Sequence, residues 1–321
     1  MKTKITIAAL ALFGVTAVHA QKYDIKTAKT YAEISAKTDG KWEGKKYIGG
    51  SVFKNVDRLK LAPEHTDHSF DIRYEGPGWE SNKVGYRLYL DWRNAIDIFG
   101  KKTSEMILPR VGQDNFDSYH EMSDWGADIL KAGKGIGIGS IDRYLNNEKL
   151  HFREVDSTIA TVTNKTNESV VKVNYYGWKT ASDKIDFVSE LTIKPDQLYT
   201  QHTIKASKEI KGICTGIVKQ KNTETLKKES KNKKWAYLAT YGTQSLVPDK
   251  LGMAIFYQTN TIENLADTDL DYLLVFKPST KANSFYLLGA WEQQTDGIKS
   301  QEEFVKYLDQ QLEVLNKKGK M

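Results

Sequence analysis

The chain has 321 residues, 40% of them apolar and 11% aromatic, enough to bury a large core without disulfide staples. Its 17 Tyr and 7 Trp against only 6 Pro exclude a low-complexity or disordered chain. The 47 basic and 41 acidic residues leave a formal charge of +6 with the signs interspersed, which describes a solvated surface and not a nucleic-acid footprint.

In chain order, residues 1–20 read as an export signal: Lys2 and Lys4 precede the apolar run Ile5 to Val18, and Val18-His19-Ala20 offers a cleavage site. Cleavage removes the one apolar segment that approaches the ~20 residues needed to span a bilayer. No Cys follows it to carry a lipid, so the mature chain is expected in the periplasm or the medium, free of a membrane anchor. Lys26 to Ser35 is read as a short helix. From Trp42 onward short alternating runs predict strands at Tyr47 to Phe53, Phe70 to Tyr74, Val84 to Trp92, Leu150 to Val155 and Ser157 to Asn164. Further strands are expected at Val170 to Trp178, Ile185 to Ile193, Leu198 to Ile204, Ile213 to Val218, Trp235 to Thr240, Met253 to Gln258, Tyr272 to Phe276 and Ser284 to Trp291. Lys219 to Lys234 reads as a polar, lysine-rich loop or hairpin tip. Ser300 with Glu303 forms a capping box, and Phe304, Leu308, Leu312 and Leu315 then recur at helical spacing up to the basic end Lys317-Lys318-Gly319-Lys320. The pattern predicts an all-β, mainly antiparallel fold, a large sandwich over residues 21–321 closed by a C-terminal helix. The lone Cys214 lies in a strand-like run and reads as a small core hydrophobe.

The chemistry concentrates between Asp67 and Arg143. Of seven Arg in the chain, five fall here: Arg73, Arg87, Arg93, Arg110 and Arg143. A guanidinium binds a carboxylate bidentately, which Lys cannot copy. Trp79, Trp92 and Trp125 share the segment with Tyr86, Tyr119, His68 and His120, and flat apolar faces beside Arg suit a sugar ring. On the run Val84 to Arg93 a period of two puts Tyr86, Leu88, Leu90 and Trp92 on one face and Arg87, Tyr89, Asp91 and Arg93 on the other. That second face is either a solvated charge ladder or the floor of a cleft for an acidic ligand. His120, in an aperiodic stretch rich in Tyr, Glu, Asp and Trp, is the best general acid or base, with Tyr119 or Asp124 as partner. Alternatively, Ser123 caps a short helix running through Asp128 and Lys131, and Asp124 is then a first-turn carboxylate.

His65-Thr66-Asp67-His68 invites a metal reading, but no second cluster of ligand spacing is visible, and no metal or cofactor is expected. The glycines from Gly133 to Gly139 lack the order of a nucleotide loop and suit a tight turn with a close backbone approach. No nucleophile elbow and no H-E-x-x-H pattern occurs.

Asp67-His68-Ser69-Phe70, Tyr74-Glu75-Gly76-Pro77-Gly78-Trp79-Glu80-Ser81, Val84-Gly85-Tyr86-Arg87 to Asp97-Ile98-Phe99-Gly100-Lys101-Lys102, and Met122-Ser123-Asp124-Trp125-Gly126 resemble a bacterial family of exported proteins carrying one domain of unknown function. The resemblance covers about Trp42 to Trp291. It implies a place in polysaccharide utilisation, notably of pectin, and its all-β pattern is similar to the galactose-mutarotase-like supersandwich. The implied function is a carbohydrate-active enzyme for uronate-containing oligosaccharides, a lyase or an epimerase, probed by His120, Tyr86, Arg93 and Asp124 as catalytic candidates. Binding would fall to His68, Trp79, Arg87, Asp91, Trp92, Tyr119, Trp125 and Lys131. A glycan-binding module without chemistry and a glycoside hydrolase with two carboxylates across a cleft remain the alternatives. The expected partner is an oligosaccharide or polysaccharide, and the protein is expected to be a monomer.

Overall fold

The computed structural model describes residues 23–114, 118–221 and 223–321, so the signal expected at 1–20 lies outside the described residues. The architecture is mainly antiparallel β with one α-helix, Gln301–Lys318, among the described residues. No described helix is long and apolar enough to cross a membrane.

A nine-stranded sheet forms one layer, its centre built from Ser157–Lys165, Glu168–Thr180, Asp183–Ile193, Tyr199–Ala206, Asn283–Trp291, Lys250–Gln258 and Trp235–Thr243. In the first three of these strands every second side chain is buried, as a period of two requires when one face meets a core and the other meets water. Facing this layer are two five-stranded sheets. One orders Thr30–Glu33, Gly78–Ser81, Val84–Leu88, Ile96–Lys101 and Gly126–Asp128; the other contains Glu148–Leu150, Asp142–Leu145, Ile213–Val218, Asp271–Phe276 and Ile262–Asp267. One apolar cluster joins all three sheets to the helix. Polar anchors cross it: Trp79 Nε1 donates to Thr200 Oγ1 at 2.8 Å, and the Tyr86 hydroxyl donates to the Leu198 carbonyl at 2.6 Å while accepting from Gly289 N at 2.9 Å.

The first five-stranded sheet is buried on both faces. Ala32, Trp79, Tyr86, Ile96, Ile98 and Ala127 point into the main core. The opposite face carries Tyr31 and Phe99, covered by Tyr74, Ile107, Leu108, Tyr119 and Trp125 in a second apolar cluster. Side chains in register with Phe99 therefore lie under a lid of chain, and these include Glu33, Glu80, Arg87, Asp97, Lys101 and Asp128, none more than 1% exposed. Their charges are compensated in pairs: Lys101 Nζ meets Glu80 at 2.5 Å within the sheet, and Arg73, from outside it, meets Glu33.

Most expected strands are present, and Ile213 to Val218 matches to the residue. Cys214 is fully buried in it, and burial pushes its thiol pKa up. The helix starts where the capping box placed it, with Ser300 Oγ accepting from Glu303 N at 3.1 Å and Phe304, Leu308, Leu312 and Leu315 buried. Gly137, at φ 70, forms the expected close backbone approach, paired with Ile96 across an isolated bridge.

Five expectations are corrected. Lys26 to Ser35 holds the strand Thr30–Glu33, since pairing with Gly78–Ser81 outweighs a weak helical pattern. Tyr47 to Phe53 is cut at Gly49 and Gly50, both with positive φ. Of Leu150 to Val155 only Leu150 lies in a strand, as the last residue of Glu148–Leu150. Within Lys219 to Lys234 lies the strand Thr225–Glu229, paired with Trp235–Thr243 at the sheet edge, where Lys227 and Lys228 protect an otherwise open ladder. Phe70 to Tyr74 is a tight coil ending in the 3₁₀ turn Arg73–Glu75.

Candidate functional site

Four of the eight residues from His68 to Glu75 have left-handed backbone: His68 at φ 57, Phe70 at 64, Tyr74 at 40 and Glu75 at 69. Such backbone is disfavoured for residues with a Cβ and persists only where the surroundings over-determine it. Here they do. Asp71 Oδ1 lies 2.8 Å from His65 Nδ1 and accepts from Ser69 Oγ at 2.8 Å, and the Asp71 carbonyl accepts from Lys37 N at 2.9 Å. The coil delivers Asp67, His68 and Glu75 to one place.

Glu75, 8% exposed at its side chain, accepts from His68 N at 3.2 Å and from Arg93 Nη2 at 3.2 Å. Arg93 Nη2 also donates to Asp67 Oδ1 at 2.8 Å, and its Nε donates to Asp91 Oδ1 at 3.0 Å, with its guanidinium 4.1 Å from the centre of the Tyr89 ring. His68 Nδ1 stands 2.6 Å from Asp67 Oδ1. Burial raises the Glu75 pKa above the ordinary carboxylate range; Arg87 and Arg93 oppose that rise and a hydrogen bond to Asp67 adds to it. Burial pushes Asp67 the same way, but the hydrogen bond from Glu75, Arg93 and His68 outweigh it and leave its pKa lowered. The surroundings thus push the two carboxyls in opposite directions, Glu75 toward the protonated form and Asp67 toward the ionised one. Asp67 and His68 are each more than one third exposed at their side chains, so solvent reaches this centre.

Arg87 links it to a deeper one. Its Nη1 lies 3.5 Å from Glu75 Oε2 and donates to Tyr119 Oη at 2.9 Å; its Nη2 donates to Tyr89 Oη at 2.8 Å, Asp97 Oδ2 at 3.0 Å and Asp128 Oδ2 at 2.7 Å. Burial disfavours the guanidinium charge, yet these partners hold its pKa well above the ordinary value. Burial also raises Asp128, against the pull of Arg87 and with the push of Asp97. His120 covers the outer end, its ring centred 4.4 Å from that of Tyr119 and its Nε2 3.6 Å from Asp128 Oδ2.

Beside the Glu75 centre lies a cleft of about 450 Å³ lined by His65, Thr66, Asp91, Trp92 and Arg153 together with the lysines at 45 and 60. Arg153 stacks over the Trp92 ring at 4.1 Å, and the edge of Trp92 meets His151 at 5.0 Å. Asp142, fully buried, has a carboxylate oxygen 2.9 Å from His151 Nδ1.

The sequence-predicted residues divide accordingly. The structure brings His68, Arg87, Asp91, Trp92, Arg93, Tyr119 and His120 into or next to this network. Trp79 and Tyr86 are fully buried in the main core, stacked on each other at 5.6 Å, which corrects the reading of one as a platform and the other as a base. Trp125, part of the lid, is buried with its ring edge-on to Phe99 and offers no face to a ligand. Asp124 is 76% exposed and pairs with Arg110 at 3.0 Å. The alternative helix from Ser123 is also absent: Gly126–Asp128 is a strand, Ser123 Oγ donates to the Gly126 carbonyl, and Lys131 is exposed. The charged face of the run Val84 to Arg93 is neither a solvated ladder nor bare floor, because Arg87 and Arg93 are engaged by protein carboxylates. Glu75, Asp97, Asp128 and the Asp142–His151 pair were not among the sequence candidates, and Asp67 was weighed only as a metal ligand; the dense motif around Asp67 and Glu75 was their one signal. Asp67, His68 and Glu75 also offer ligand atoms within 4.8 Å of one another, the spacing a metal ion would need, but Arg93 already donates to both carboxylates.

The family model described as "Domain of unknown function (DUF4861)" matches residues 8–321, and the chain belongs to that family. Among solved structures the chain is similar to a "putative kojibiose phosphorylase from human microbiome" at 11% identity and a TM-score of 0.38, covering 74% of this chain and 32% of that one. A 4-alpha-glucanotransferase from Thermococcus litoralis is similar at 12% identity and a TM-score of 0.34, over 70% of this chain and 40% of that one. A "putative aldose 1-epimerase" from Klebsiella pneumoniae is similar at 10% identity and a TM-score of 0.35, over 76% of this chain and 84% of that one. The chain thus spans less than half the length of the first two. No curated protein matches the sequence.

Proposed function

We propose that this DUF4861 chain is an exported enzyme that moves a proton at a sugar ring of uronate-containing, pectin-like oligosaccharides, as a lyase or an epimerase. The observation that supports the reading is the unequal pair Glu75 and Asp67, joined through Arg93 Nη2 and with pKa values pushed in opposite directions, at a solvent-reached centre beside a cleft with an aromatic wall. In an elimination, Asp67 or His68 takes the proton from the carbon next to the uronate carboxyl group. The electrons of that C–H bond form the double bond, the neighbouring C–O bond breaks, and its oxygen leaves with the proton that Glu75 supplies. In an epimerisation the same two groups exchange protons with the anomeric hydroxyl and the ring oxygen.

The test is to incubate the mature protein with pectic, alginate and neutral oligosaccharides, following ultraviolet absorbance of unsaturated products, product mass and anomer ratio by NMR. Turnover by the native chain and its loss in Glu75→Gln, with native circular dichroism, is the expected result. Full activity in that variant overturns the assignment of Glu75. A glycan-binding module is the second reading, favoured by the saturation of Arg87 and Arg93 by protein carboxylates. Saturable binding with no chemical change in any substrate would establish it.

A further inference from the structure

Resting on the carbohydrate reading above, we propose that the substrate's carboxylate is bound by Arg153 on its Trp92 platform, with Lys45 and Lys60 beside it, and not by Arg87 or Arg93. Arg87 is 1% exposed and already holds two carboxylates at 3.0 Å or less. Arg93 donates to Asp67, Glu75 and Asp91 at once. Both guanidinium charges are thus already compensated by protein carboxylates, and a ligand carboxylate would have to compete with those close pairs.

The cleft has the opposite balance. Its two acidic lining residues are both neutralised from outside it, Asp91 by Arg93 and Asp156 by Lys184 at 2.7 Å. Its three cations are not: no carboxylate among the described residues pairs with Arg153 or Lys60, and Lys45 gives its ammonium to the Pro63 carbonyl at 3.0 Å. Three positive charges therefore face one cleft of about 450 Å³, inside the usual size range for a small-molecule site. Stacking at 4.1 Å on Trp92 fixes the guanidinium plane and leaves its in-plane N–H edges to meet a carboxylate in the forked geometry. Position agrees with charge. His65 and Thr66, immediately before Asp67 and His68, line the same cleft, as does Asp91, which holds Arg93 against Glu75. A sugar anchored by its carboxylate at Arg153 thus lies next to the proton-transfer pair.

The experiment is calorimetric titration of trigalacturonate, and of the same trisaccharide with its carboxyl groups reduced to alcohols, into the full mature chain and its variants. The native chain should bind the acid form at least about tenfold more tightly, with affinity falling as salt rises. Arg153→Ala should lose about tenfold or more for the acid form and little for the reduced form, and Arg153→Lys should recover only part of the loss. Arg153 is exposed, so these variants should fold, which circular dichroism checks. If the native chain prefers the acid form but Arg153→Ala and the double variant Lys45→Ala with Lys60→Ala both bind it within twofold of native, the assignment is overturned and the carbohydrate reading stands. Equal affinity of the native chain for both forms also overturns it. If the native chain binds neither form, the carbohydrate reading falls and takes this assignment with it.

Discussion

Arg87 Nη2 stands 2.7 Å from Asp128 Oδ2, and both side chains are 1% exposed. The two residues come from strands on the same sheet face, and each is tolerable there only because of the other. Moving an isolated charge from water into a protein interior costs several kcal/mol even after relaxation, so removing one partner is felt far more than the net worth of the pair. The pair fixes where the lid sits: Tyr119, from the lid, accepts from the same guanidinium at 2.9 Å.

Arg87→Met should therefore lower the unfolding free energy by about 3–5 kcal/mol, read from urea denaturation at pH 7, because Asp97 and Asp128 lose their shared cation. Part of that loss should return at lower pH, where the two carboxyls can take up protons. A Met variant within about 1 kcal/mol of native would show that the network does not hold the lid.

Glu75 should impose a pH limit on activity. Its folded pKa is raised, so it keeps its proton at a pH where an ordinary glutamate is ionised, and turnover that needs it as an acid should fall as pH rises through that raised value. The same shift acts on stability. The folded state binds this proton more tightly than the unfolded chain, so its contribution is full below the ordinary glutamate pKa and is lost as pH climbs through the folded one. Glu75→Gln, which cannot ionise, should gain stability relative to native across that window, measured as urea midpoints in steps of pH. A constant gap would sink the claim.

His202 supplies a second pH handle of opposite sense. Burial lowers its pKa to about 4, against a hydrogen bond to the Gly139 carbonyl that raises it. Its Nδ1 lies 2.9 Å from that carbonyl and its Nε2 2.6 Å from Ser189 Oγ. The folded state prefers the neutral ring, so stability is full above the ordinary histidine pKa and drains as pH falls toward 4, by an amount on the order of 3 kcal/mol. In His202→Gln the slope of stability against pH between about 6.5 and 4 should flatten. An unchanged slope would assign the acid sensitivity elsewhere.

Two glycines separate backbone strain from collision. Gly133 has φ 58 with nothing within 4 Å of an added Cβ, whereas at Gly137, φ 70, that Cβ would lie 2.0 Å from the Ile96 carbonyl oxygen. Gly133→Ala should lose about 1 kcal/mol. Gly137→Ala should lose several times as much, since the bridge to Ile96 must open. Equal losses in thermal melts would mean that the approach at Gly137 relaxes freely.

The β architecture was legible because period-two burial is a local property: Glu168–Thr180 and Asp183–Ile193 write one wet and one dry face directly into the residue order. The C-terminal helix was legible for the same reason, its cap and apolar stripe lying within one stretch of chain. The alternation of Arg87 with Tyr86 and Leu88 was equally plain, but whether the Arg87 face meets water, ligand or protein depends on the lid that contains Tyr74, Ile107, Leu108, Tyr119 and Trp125, which come from other segments of the chain. Glu75 and Asp67 could not be paired from sequence, because their meeting depends on four left-handed residues held by hydrogen bonds from Lys37, His65 and Arg93. The sequence alone determined the strands, their faces and the residue types available for chemistry. The tertiary structure decided which charges are spent on one another and which still face a cleft, since charge compensation is set by distances across the fold and not by spacing along the chain.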